Sequence, residues 1–67
     1  MSEDVPQLFK LYEDTLIFRN GFGQEVDGQA RATWVEEDGE RWYEVVDCTG
    51  PQGELFERAE SDIRRAP

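Results

Sequence analysis

The stretch ATWVEEDGERWYEVVD, residues 32–47, has the pattern of a β-hairpin: two arms rich in β-branched and aromatic residues meet at Asp38-Gly39. A two-residue turn there, with both residues at positive φ, sets Glu37 opposite Glu40, Val35 opposite Trp42, Trp34 opposite Tyr43 and Ala32 opposite Val45. Side chains alternate between faces, so Ala32, Trp34, Tyr43 and Val45 share one face and are expected to line a core. The other face holds Val35, Trp42 and Val46, apolar groups that a lone sheet leaves wet. Something should therefore cover this second face: the remainder of a curled barrel, a second copy of the chain, or a partner.

Outward from the hairpin, strands are expected at about 29–36 and 41–48, with a turn at Asp27-Gly28 ahead of the first. Asn20-Gly21-Phe22-Gly23-Gln24 reads as a loop, and Thr15, Ile17 and Phe18 favour a strand over 15–20. Residues 7–13 stay open between a helical turn entered near Pro6 and a short strand. Residues 1–7 read as a flexible tail ahead of a single domain over 8–67. On the far side, Thr49-Gly50-Pro51-Gln52-Gly53 is the sharpest break, because proline cannot donate to a sheet ladder. GELFERA, residues 53–59, then forms a fourth strand with Leu55 and Phe56 on opposite faces. Glu60-Ser61-Asp62-Ile63 forms one helical turn, with Ser61 or Asp62 as cap and Ile63 closing the core.

The totals narrow the function classes. A chain of 67 residues is one small domain, with no room for a deep catalytic cleft and a thin stability margin. Its one cysteine, Cys48, excludes an internal disulfide, which suits a reducing cytoplasm. With no histidine in the chain and an aspartate beside it, Cys48 lacks the cationic neighbour a nucleophilic thiol needs. No segment approaches the ~20 apolar residues of a membrane span or the apolar core of a signal peptide, so a cytoplasmic protein without a membrane partner is expected. Sixteen acidic residues against seven basic ones give a net charge of −9, which opposes direct nucleic-acid binding. Six of the basic residues are arginine, a bias of GC-rich bacterial genomes that carries no mechanism.

Short strands spaced by turns, a central aromatic hairpin and a helical turn before the end together suggest a closed or partly closed all-β barrel. The loop Asn20-Gly21-Phe22-Gly23, the segment Gly28 to Glu36, Trp42-Tyr43-Glu44-Val45 and the turn Glu60-Ser61-Asp62-Ile63 make the chain resemble the SH3-like small barrels, the Tudor, KOW and bacterial SH3-like group, over about 15–65. The resemblance implies about five short antiparallel strands with a single helical turn near the C-terminus. KOW members carry basic RNA-contacting loops, whereas the corresponding loops here are acidic, so that activity is not implied. Leu11-Tyr12-Glu13-Asp14 only faintly echoes the ALYDY-like cluster of peptide-reading SH3 domains. The Val-Gln-Ile-Tyr pore run of the tetrameric SH3-like reductases is absent.

Glu36-Glu37-Asp38-Gly39-Glu40 gathers four carboxylates, but without the spacing of a calcium loop, and reads as a solvated turn. No catalytic, cofactor or metal residue is assigned. Most of the aromatics must be core, with Phe18, Trp34, Tyr43 and Phe56 as candidates. Phe22 and Trp42 are placed at an interface, with Val35 and Val46 as further apolar contacts and Arg31, Glu36 and Glu44 as a polar rim. The expectation is a non-catalytic interaction module that binds another protein or itself. The alternatives are an acidic mimic of nucleic acid that blocks a DNA- or RNA-binding protein, and an enzyme whose site forms only between subunits of a homo-oligomer.

Overall fold

The computed structural model describes residues 5–67. Its strands form one open antiparallel sheet in the order β4-β3-β2-β1-β5. They are β1 (Leu16–Arg19), β2 (Glu25–Val35), β3 (Arg41–Asp47), β4 (Leu55–Ala59) and β5 (Arg64–Arg65), with a single 3₁₀ turn, Glu60–Asp62, between the last two. The first four strands follow one another as a meander. The chain then crosses back so that Arg64 and Arg65 pair with Ile17 and Leu16 at the opposite edge.

The central hairpin forms, but one residue out of the expected register. Val35 pairs with Arg41, Trp34 with Trp42, Thr33 with Tyr43 and Ala32 with Glu44. The turn holds three residues rather than two: the Gly39 N–H donates to the Glu36 carbonyl and the Glu36 N–H to the Glu40 carbonyl, each at 2.9 Å. Within it only Gly39 adopts positive φ, at 88°. A turn of this kind needs one left-handed residue, whereas the two-residue alternative would force Asp38 there as well. A one-residue slip exchanges faces, so Trp34 moves from the expected core face to the face of Trp42.

Asp27-Gly28 is not a turn but the middle of β2, which begins at Glu25 rather than near Gln29. Gly28 pairs with Leu16 on one side and Asp47 on the other. A Cβ at Gly28 would lie 1.7 Å from the Val46 carbonyl oxygen, so the glycine serves close backbone approach, not a bend. Two positions on, the register shifts between Ala30 and Ala32, leaving Arg31 as a bulge that turns the second half of β2 away from β1.

The concave face carries the core: Leu16 and Phe18 from β1, Ala30 from β2, and Tyr43 and Val45 from β3, with Phe9 and Ile63 closing it. Phe18 and Phe56, three strands apart in the sheet, approach to 6.3 Å between ring centroids, and the Arg58 Nε–H donates to the Arg19 carbonyl at 2.9 Å. Phe56 packs against the core while Leu55 faces solvent, and Ile63 is buried, all as the sequence predicts. The 3₁₀ turn has Ala59 at its N-cap and no side-chain cap, so neither Ser61 nor Asp62 has the expected role.

Residues 7–13 form neither helix nor strand. The Asp14 N–H returns to the Lys10 carbonyl at 3.2 Å, with Tyr12 at φ 65°. The Asp14 carboxylate closes the turn by accepting the Lys10 N–H at 2.8 Å. This segment lies across one end of the core: Phe9 is buried, its N–H donates to the Tyr43 hydroxyl, and Tyr12 donates its N–H to the Ala30 carbonyl. Residues 1–4 of the expected tail lie outside the described residues; the carbonyls of Val5 and Pro6 accept hydrogen bonds from Arg41.

Candidate interaction surface

The convex face of β2, β3 and β4 is built in three rows by the observed register. Trp34, Trp42 and Ala59 form the first row, and Ala32, Glu44 and Glu57 the second. Gln29, Val46 and Leu55 form the third. Both tryptophans are half-buried, yet neither belongs to the core cluster or packs against it. The Trp34 indole N–H donates to the Glu36 carboxylate at 2.6 Å, which fixes the ring at the top of the face. Leu55 is 46% exposed at the other end.

The second row, Ala32 with the two glutamates, is acidic and lies between the tryptophan row and the row of Val46 and Leu55. Glu44 and Glu57 stand directly opposite each other across the β3–β4 ladder. Like charges in that position repel. The ion pairs among the described residues, Arg64 with Glu25 and Arg65 with Asp14, lie elsewhere, and neither Glu44 nor Glu57 takes part in one.

The seven interface residues expected from sequence do not form one patch. Trp42, Glu44 and Val46 alternate along the convex face of β3 and belong together. Glu36 joins them through Trp34. Val35, 41% exposed, points to the opposite side with Arg41, a consequence of the slipped register, and Arg31 is the exposed bulge residue at the bend of β2. Phe22 sits apart on the β1–β2 loop and is 88% exposed. That loop is tightly organised: the Asn20 side chain accepts the N–H groups of Phe22 and Gln24, and Arg19 donates to the Gly23 carbonyl at 2.6 Å. Trp34, Leu55 and Glu57 complete the face and were not expected in it. Asp38-Gly39 satisfies both the two- and the three-residue turn, so no local signal separates them.

The remaining features are spent on structure. A surface groove of about 330 Å³ is lined by Arg19, Arg58 and Arg64 with Glu25 and Asp62. Arg64 grips Glu25 through two hydrogen bonds of 2.9 Å, and Arg58 bonds the Arg19 and Glu57 carbonyls while lying 4.9 Å from the Phe56 ring centroid. The Arg64 guanidinium holds the Glu25 carboxyl below the usual carboxylate range. In the hairpin turn, Glu36 is bound to Trp34, Asp38 accepts the Glu40 N–H, and Glu40 accepts the Ser61 hydroxyl, so the carboxylates diverge. Among the described residues no three acidic or cysteine side chains converge as metal ligands, and no helix is long and apolar enough to cross a membrane. Cys48 is exposed.

No protein family, curated protein or solved structure matches the chain.

Proposed function

We propose that this chain is an SH3-like small barrel that works as a non-catalytic protein-interaction module through the convex face of β2, β3 and β4. The barrel reading is supported by three features: a terminal strand returned beside β1, a 3₁₀ turn between the last two strands, and a bulge that bends the long second strand. The observation that carries the functional reading is the placement of both tryptophans, in cross-strand register, off the core. A domain this short has little apolar bulk to spare, and leaving its two largest side chains half-wet forgoes stability that burial would supply. Half-buried tryptophans bordered by a polar row match the aromatic enrichment of interaction hot spots.

The test is Trp42→Thr, which keeps a strand-compatible residue at the site. Affinity capture with quantitative mass spectrometry and light scattering on a sizing column are run on both proteins, with circular dichroism confirming that the variant is folded. The expected outcome is a near-stoichiometric partner, or a self-assembled species, that the wild type retains and the variant loses. Identical captured proteins and identical solution mass would refute the use of this face.

A further inference from the structure

We infer that the occupant of the convex face is a cationic segment of a partner protein, whose arginine or lysine side chain pairs with Glu44 and Glu57 beside Trp42. This rests on the reading of that face as an interaction surface and names what it takes. The first observation is electrostatic. Glu44 and Glu57 form a like-charge cross-strand pair, a destabilising arrangement, and no basic side chain among the described residues forms an ion pair with either. The paired convex positions of β2, β3 and β4 hold no arginine or lysine, and Arg31, unpaired at the bulge beside Ala32, makes no ion pair with either glutamate. The second observation is what borders the pair: along β3 Glu44 lies between Trp42 and Val46 on the same face, and its partner on β2 is the small Ala32.

An arginine laid across this row meets complementary chemistry along its length. Its aliphatic stem covers the apolar side chains that flank the row, and its guanidinium reaches the two carboxylates next to the Trp42 indole, combining charge-assisted hydrogen bonding with cation–π attraction. A second copy of this chain is a poor occupant, because it would bring another acidic surface to the pair, at a net charge of −9 per copy. A cationic partner removes the Glu44–Glu57 repulsion on binding, so a cost carried by the free protein is relieved in the complex.

The experiment titrates isotope-labelled full-length protein with a Gly-Arg-Gly-Arg-Gly-Arg peptide, following the indole N–H signals of Trp34 and Trp42. Both signals are expected to move with saturation. The double variant Glu44→Gln/Glu57→Gln is expected to bind about tenfold more weakly while melting at a higher temperature than the wild type. Glu37→Gln/Asp38→Asn, which removes the same charge from the hairpin tip, is expected to leave the affinity unchanged. If the Glu44/Glu57 double variant fails to fold, Glu44→Gln alone provides the comparison. Equal weakening by the two charge removals, or indole signals that do not move, overturns the inference. A wild type that ignores the peptide while Trp42→Thr still abolishes partner capture removes this inference and leaves the interaction module standing.

Discussion

The hydroxyl of Tyr43 joins three segments far apart in the chain. It donates to the Glu60 carboxylate at 2.5 Å and accepts the Phe9 N–H at 3.3 Å, and the same carboxylate oxygen accepts the Leu8 N–H at 3.1 Å. Removing it strands the Phe9 N–H, so Tyr43→Phe is expected to lower stability by about 1–3 kcal/mol in urea denaturation. Burial, then the Glu60 carboxylate, push the Tyr43 phenol above its ordinary value of 10.0. The unfolded chain ionises this phenol near 10.0 while the folded one keeps it neutral, so its contribution is complete below that pH and is lost as pH rises beyond it. The alkaline fall in melting temperature is accordingly expected to be shallower in Tyr43→Phe. Phe22 makes the opposite case: at 88% exposure, Phe22→Ser is expected to change stability by less than about 0.5 kcal/mol, measured by the same denaturation. Tyr43 was legible as core because it sits in an alternating arm. Phe9 was not, because its burial comes from Tyr43, 34 residues away.

At the level of elements, β2 determines the architecture. It pairs with β1 through Glu25–Gly28 and with β3 from Gly28 onward, and the two ladders overlap at Gly28. A methyl group there meets the Val46 carbonyl, which is backbone and cannot swing aside. Gly28→Ala is therefore expected to cost about 3 kcal/mol or more, against roughly 1 kcal/mol for an ordinary glycine change, and calorimetry would show the lowered melting temperature. Asp27-Gly28 invited a turn because aspartate-glycine pairs mark turns elsewhere, including at residues 38–39 of this chain. The pair is chemically the same in both places. What differs is the neighbour: β3 and the Asp27–Thr49 hydrogen bonds hold the first pair extended, whereas nothing pairs across the second except its own hairpin. The bulge at Arg31 was equally hidden, since an unpaired residue in a strand shows itself only when its partner strand is in place.

For the whole molecule, a small core works against a large uncompensated charge. Among the described residues eight apolar ones are buried, and the two ion pairs are surface pairs worth little each. Self-repulsion at a net charge of −9 should therefore dominate the response to salt. The melting temperature is expected to rise between 10 and 300 mM sodium chloride at neutral pH, by scanning calorimetry, these being concentrations on the order of those at which the Debye length shrinks below the size of the domain. A falling value would mean that ion pairs outweigh repulsion. The all-β class, the break at 49–53, the position of the 3₁₀ turn and the burial of Phe18, Tyr43 and Ile63 were determined by the sequence itself, because alternation, glycine and proline act within a few residues of one another. Which face the tryptophans occupy was decided only by the tertiary structure. Two hairpin registers differ by one residue in a turn that accepts either, and the choice falls to the sheet, which buries Tyr43 and Val45 beside Ala30 and leaves Trp34 and Trp42 together on the outside.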